Sequence, residues 1–386
     1  MKRSSIARVA SLTVVLVAAC IFSSEYLMRE VHAQSSFVGI IYVTTTGNDS
    51  NNGFSWASPK ATLAGALSAL PNCTAIDVRG TSHTAPCGHI VMGIGKWTQT
   101  STITIESPFI SISGQSPSAT QIAYTGNGCA IVANIGASGI GNGYQAGILE
   151  QFSITGNQET NMGTCGIESE NNSLIAIRDV SVTSFTKTGD SCLLLSGGGS
   201  YNERSNFGPV WLGNCTTGWL ITTPTVSGET SETLGYAQVN MFINVEANQT
   251  AVSVVGTSMT SALVSYDLFH IIVNSDSSTG TTCANFTYAL WVESQGVWEC
   301  DGPFANGFVL DANSKVSLGG LVATGSGANI VPSGADLWVT NVSGWPGNNY
   351  PFSFSWNGAV VNFQSPAGNT SNWINFANQS GTVTLH

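Results

Sequence analysis

The sequence predicts an all-β chain wound as a parallel β-helix, a solenoid in which each strand stacks on its equivalent one turn away. Three observations carry that prediction. From residue 74 onward the chain is a succession of β-prone runs of four to seven residues, separated by Gly, Asn, Ser and Asp, without helical periodicity. Similar runs recur: FSIT begins at 152, VSVT at 180, FINV at 242, HIIV at 270 and VWEC at 297, and a break near Val210-Trp211 divides the longest interval. A second series lies between them, with CGIE at 165, CLLL at 192, GWLI at 218, AVSVV at 251, ALWV at 289 and GFVL at 307. A period of 20 to 50 residues marks a solenoid. Finally, charged residues make up only 9% of the 386 positions while glycine fills 43, which suits coils built from inward apolar residues and small neutral corners.

At roughly 29 residues per coil, residues 74–386 make about eleven coils, and strands about 4.8 Å apart give a rod about 50 Å long. The strands are too short and too closely spaced for βαβ units. A pair of β-sandwiches or a jelly roll is the competing architecture.

The first 33 residues form a separate segment. Lys2, Arg3 and Arg8 precede an apolar run from Val9 to Phe22, shorter than a membrane span requires and typical of an export signal. Two cleavage readings compete: Val31-His32-Ala33 is a small-residue signal-peptidase site, and Val17-Ala18-Ala19-Cys20 resembles a lipoprotein box that would acylate Cys20. A retained anchor is the third reading, and only that one leaves a membrane segment in the mature chain.

Residues 34–73 hold a strand and a cap. GIIYVTT at 39–45 reads as a strand, and Gly47-Asn48-Asp49-Ser50-Asn51-Asn52-Gly53 is dense in turn formers. Leu63, Ala66, Leu67 and Leu70 recur at helical spacing within ATLAGALSAL at 61–70, and Pro71 stops that helix. It would cover the open end of the solenoid, where bare strand edges invite aggregation. Residues 74–386 are the solenoid, beginning with TAIDV at 74–78 and followed by STITI, FISIS, QIAY and AIVA. The last residues, GNTSNWINFANQSGTVTLH, either form the final coil or dock on an oligomer partner.

Beyond the signal, eight cysteines remain: Cys73, Cys87, Cys129, Cys165, Cys192, Cys215, Cys283 and Cys300. An even count in an exported chain fits disulfides. Proximity pairs them in order, as Cys73–Cys87, Cys129–Cys165, Cys192–Cys215 and Cys283–Cys300, although eight cysteines allow 105 connectivities. Buried free thiols are the alternative. The sequence offers no CxxC pair and few histidines, which disfavours zinc.

The net charge of −11 disfavours nucleic acid, whose binding rests on Lys and Arg neutralising phosphates. Ten tryptophans point elsewhere. Trp338, Trp345, Trp356 and Trp373 crowd the last fifty residues, and Trp211, Trp219, Trp291 and Trp298 sit in the repeats. Flat amphipathic rings bury area against pyranose faces, so these are candidate carbohydrate-binding positions, with packing of loops and coil ends as the alternative.

The stretch Ile41-Tyr42-Val43, Gly47-Asn48-Asp49-Ser50-Asn51-Asn52-Gly53, Ser58-Pro59-Lys60-Ala61-Thr62-Leu63 and Ala66-Leu67 resembles the N-terminal signature of secreted proteins of the broad pectate-lyase-like superfamily. The resemblance covers residues 40–70 and implies a right-handed, single-stranded parallel β-helix. Members of that superfamily cleave acidic or neutral polysaccharides, bind glycans, or have no assigned activity.

A lyase of this kind needs a base beside a uronate carboxylate and cations, or Ca²⁺, to neutralise it. The densest polar group is Arg178, Asp179, Lys187 and Asp190, with Glu168 and Glu170 one strand earlier. If these share a face, Arg178 and Lys187 meet the acidic sugar, Asp190 assists, and Asp179 with Asp190 holds Ca²⁺ through carboxylate oxygens. Asp49, in its oxygen-rich loop, is a second Ca²⁺ candidate against the simpler reading of an Asx turn. The Asn-Thr-Asp, Asp-Asp, Gly-His-Gly and Arg-Ile-Lys motifs of hydrolytic β-helices are missing from the sequence. Asp267 with His270, and Glu293 with Glu299, form no comparable set. The leading expectation is therefore an exported β-helix that contacts cell-surface or environmental carbohydrate without a recognisable catalytic signature. A polysaccharide lyase, less readily a hydrolase, and a purely structural surface protein are the alternatives.

Overall fold

The computed structural model describes residues 39–76, 82–134, 147–156, 164–170, 175–196, 202–203, 205–222, 232–235, 237–256, 262–324, 328–332, 335–342, 352–356, 360–363, 374–377 and 382–385. Residues 1–33, with Cys20, on which the export-signal expectation falls, lie outside them. Among the described residues no helix is long and apolar enough to cross a membrane.

Two parallel sheets dominate, one of 17 strands and one of 11. The chain passes from one to the other and back, and a coil adds one strand to the second sheet and one or two to the first. The fold is a parallel β-helix. It is right-handed, the hand that parallel crossover connections almost always take. The 11 strands of the second sheet match the coil number expected from the repeat. Its register stacks Cys129 on Cys165, Cys165 on Ser191 and Ser191 on Thr217. Of the second series of runs, only ALWV at 289 falls in the other sheet, and the intervening strand is Thr282–Thr287.

Alternation explains why these runs fold this way. In Gln238–Val245, Val239, Met241, Ile243 and Val245 are buried, while Gln238, Asn240, Phe242 and Asn244 face outward. A period of two puts one set inside the solenoid and the other on its surface. The core is continuous along the coils and includes Phe152, Phe207, Trp219, Phe269, Trp291, Trp298 and Phe308, all fully buried. Trp219, Trp291 and Trp298 are thus packing residues. Phe269 and Trp291 lie 4.8 Å apart between ring centroids.

The cap follows the sequence closely. Strand Ile40–Val43 pairs with Gly88–Met92 and so belongs to the first coil of the long sheet. Helix Leu63–Ala69 buries Leu63 and Ala66. Thr62 is its N-cap, its hydroxyl accepting from Gly65 N–H at 2.9 Å. The expected TAIDV strand differs from expectation. Asn72–Ile76 pairs antiparallel with Ser82–Pro86 as a separate hairpin, tied down by Cys73–Cys87, and adds no coil.

All four disulfides join sequence neighbours, as proximity suggested: Cys73–Cys87, Cys129–Cys165, Cys192–Cys215 and Cys283–Cys300. Cys129–Cys165 bridges successive coils within the second sheet. Four such bonds suit an oxidising, extracellular compartment. The C-terminal residues extend both sheets, with Ile374–Ala377 on Phe352–Trp356 and Thr382–Leu385 on Val360–Phe363.

Candidate functional site

The outward residues of the long sheet form ladders running from coil to coil. One ladder carries Ser113, Glu150 and Arg178, which are register partners in that order. Gly208 follows one coil later, against Asn240. A Cβ at Gly208 would stand 2.6 Å from the Asn240 carbonyl oxygen, and its φ of +150° also excludes other side chains. Asn240 then pairs with His270, and His270 with Val297. A groove of about 510 Å³ lies over this stretch, lined by Asn206, Gly208, Gln238, Asn240, His270 and Val297 among others.

The neighbouring ladder is aromatic. Ser181, Trp211, Phe242, Ile272 and Glu299 are successive partners. Trp211 is 40% exposed. Its ring and that of Phe242 are stacked at 14° with centroids 6.4 Å apart, and Phe242 meets His270 edge-on at 6.5 Å. A flat aromatic shelf therefore borders a groove lined by amides.

The repeat as read from sequence hides this shelf. Aligning FSIT with FINV makes Phe242 the equivalent of Phe152, which is fully buried. The structure instead places Phe242 beside Trp211, on the outside. The cause is a register shift between Phe207 and Val210, where the Asn206–Gly213 strand carries an extra residue relative to its partner.

Two of the lining amides contact one another on neighbouring strands, with Asn206 Nδ2 at 3.5 Å from Gln238 Oε1. Asn240 Oδ1 is buried and has no hydrogen-bond partner in the protein. Such an atom is costly to leave unpaired.

The sequence-selected polar group does not assemble. Arg178 lies in the first half of strand Ala176–Thr183, opposite Glu150, with its Nε buried and unpartnered. Lys187 lies beyond the end of that strand, in the corner leading to the second sheet. Five residues of strand, roughly 16 Å, already separate Arg178 from Thr183. Asp190 is 2% exposed and accepts from Thr164 N–H at 2.8 Å and Lys187 N–H at 2.9 Å. Both its oxygens hold backbone, so neither the catalytic nor the Ca²⁺ role fits it. Asp179 occupies a left-handed position, φ +50°, at a bend of the outward face, where Asp and Asn are tolerated best.

Glu168 and Glu170 stand on the second sheet. Glu170 is held above the usual carboxylate range by burial and by Glu168, against a hydrogen bond from Asn134. Glu168 and the thiols of Cys129 and Cys165 lie close together, but those sulfurs are bonded to each other.

Asp49 is likewise committed. One oxygen accepts from Ala61 and Thr62 N–H at 2.9 and 3.0 Å, the other from the Thr62 hydroxyl at 2.7 Å. Partial burial is outweighed by these bonds and by Lys60, and the group titrates below its ordinary value. The Asx turns of the loop are those of Asn48 and Asn52, which accept from Ser50 and Phe54 N–H, while Asp49 fastens the helix start and is thereby poorly suited to Ca²⁺.

Of the C-terminal tryptophans, Trp338 and Trp356 occupy strand positions beside Asn362 and Val331, while Trp345 and Trp373 lie outside the described residues. At the far end of the polar ladder, His89 Nε2 is 2.6 Å from Ser113 Oγ. Burial holds His89 below its ordinary value, against the pull of Glu150. Ser113 is only 6% exposed, which leaves its hydroxyl little room to meet a substrate.

Neither a family model nor a curated protein matches the chain. Among solved structures, ORF18 of Geobacillus virus E2 is 14% identical, with 89% of this chain and 61% of that one covered and a TM-score of 0.30. The catalytic domain of a GH87 α-1,3-glucanase, solved with tetrasaccharides, is 11% identical over 77% of this chain and 63% of its own, at 0.35. Pectin methylesterase PemA from Erwinia chrysanthemi is 8% identical over 89% and 93%, also at 0.35. The chain spans about three fifths of the first two. At these values the likeness is one of outline alone.

Proposed function

We propose that this is an exported β-helix protein that binds carbohydrate on the outer face of its long sheet, without performing chemistry on it. The observation that carries the reading is the exposed Trp211–Phe242 shelf beside the amide-lined groove. Stacked rings bury the apolar face of a pyranose, and fixed amides then select its hydroxyls. The same reading takes residues 1–33 as the export signal, which N-terminal sequencing of protein recovered outside the cell would test.

A panel of polymeric glycans run in affinity gels tests the function. Retardation by at least one polymer, lost in Trp211→Ala and accompanied by no new reducing or unsaturated ends, is the expected result. Product formation would return the protein to the enzymes. Absence of retardation across the panel would leave a structural rod. The lyase reading draws little support from the separation of Arg178 and Lys187 by the length of a strand.

A further inference from the structure

Resting on the glycan-binding reading above, we infer that the groove takes an uncharged, hydroxyl-rich polysaccharide rather than a uronate or sulfated one, lying along the solenoid axis across successive strands.

The charge argument comes first. None of the groove's lining residues is Lys, Arg, Asp or Glu. An acidic polymer needs cationic clamps or metal ions to replace the water around its carboxylates. Arg178 stands one coil outside the groove and faces Glu150 in register. On the other side, Glu299 continues the Trp211–Phe242–Ile272 ladder and would repel an anionic chain lying on it. The net charge of −11 acts in the same sense at longer range.

The hydrogen-bond argument is independent. Asn240 Oδ1 is a buried acceptor without a partner, on a residue that lines the groove. It is completed by a ligand that donates. A hydroxyl donates; an ionised carboxylate or sulfate only accepts. A ligand group that satisfies this oxygen recovers the cost of its burial, whereas an anion adds repulsion to it.

The direction follows from the ladders. The lining residues come from four neighbouring strands, 206–208, 238–240, 269–270 and 296–297, which at strand spacing cover roughly 14 Å. Trp211 and Phe242 sit on two of these strands in succession, so their shelf runs the same way. A chain along the axis meets both rings and the Asn240–His270 edge. One lying along a strand meets a single ring.

Titration calorimetry would compare neutral polymers (β-glucan, mannan and xylan) with polygalacturonate, alginate and a sulfated galactan, at 20 mM and 500 mM NaCl. The expected result is binding of at least one neutral polymer, at least tenfold tighter than any acidic one and insensitive to salt. Asn240→Leu should weaken that binding about tenfold. Asn240→Asp, which keeps an acceptor oxygen, should retain neutral binding and weaken any residual acidic binding further. Circular dichroism of both variants separates lost binding from lost fold. Equal or tighter binding of an acidic polymer, or affinity falling steeply with salt, overturns the inference and leaves the glycan reading standing. Failure of every polymer in both sets overturns the glycan reading itself.

Discussion

The corners of the solenoid and the outer face of its long sheet use polar residues in opposite ways. At the corners and in the cap loop, Asp190, Asp311 and Asp49 each spend both oxygens on neighbouring backbone, hydroxyl or amide groups. Asp311 accepts from Tyr288 N–H, from Asn313 N–H and Nδ2, and from the Ser314 hydroxyl, which itself reaches back to the Phe286 carbonyl. On the outer face, Trp211 is exposed and Asn240 carries an unpaired oxygen. In a chain with so few charges, these three carboxylates hold turns, while the outer face around the groove is neutral. Formal charge is a poor guide to the site here.

The sharpest way to break that contrast is at Asp190. Asp190→Ala leaves the Thr164 and Lys187 N–H groups buried without their acceptor, and should cost about 3–5 kcal/mol in chemical denaturation, given about 1.5–3 for each charge-assisted bond. Lys187→Ala should leave stability within about 0.5 kcal/mol, because only its backbone is used. A large loss there would revive a role for its ammonium group.

Trp211→Ala tests the other side. It should reduce glycan affinity by roughly 1–3 kcal/mol by removing one stacking surface. Its melting temperature should stay close to that of the parent, because the ring is substantially exposed. A Trp211 variant that unfolds would make the shelf a packing feature.

Asp49→Ala should cost about 1 kcal/mol as a lost helix-start anchor, and its effect should depend on pH. The folded state holds this carboxyl below its ordinary value of 3.8, so its contribution is present above that pH and is lost as pH falls through the folded value. A stability difference between Asp49→Ala and parent that persists unchanged to pH 2 would contradict this.

The smallest effect is expected at Glu170. Its carboxyl is raised above 4.5 by burial and by Glu168, so the folded state prefers the proton. The parent should lose a little stability as pH rises through the folded value. Glu170→Gln should therefore melt slightly higher than the parent at pH 7 and equally at pH 4. A destabilised Glu170→Gln at pH 7 would show that the carboxylate is a structural acceptor like those at the corners.

Much of the fold was legible because its period is local. CLLL and GWLI each turn a leucine partly outward between buried neighbours, and the helix at Leu63–Ala69 and the cysteine pairs suggested by proximity rest on short spacings. The hairpin at Asn72–Ile76 escaped because an antiparallel and a solenoid strand look alike over five residues. The candidate site was much less legible. Trp211 stood out as one tryptophan among ten, and nothing local separates it from Trp219, which is fully buried.

By itself the sequence determined that this chain is a low-charge β-solenoid with a helical cap, because inward alternation and small corners are properties of each coil alone. Tertiary structure decided which aromatic residues line the outer face. One register shift between Phe207 and Val210 turns Phe242 outward beside Trp211, and Gly208 lets the Asn240 backbone pack closely against it. Both depend on the neighbouring coil, and the stacking of one coil on the next is a relation between residues about thirty positions apart.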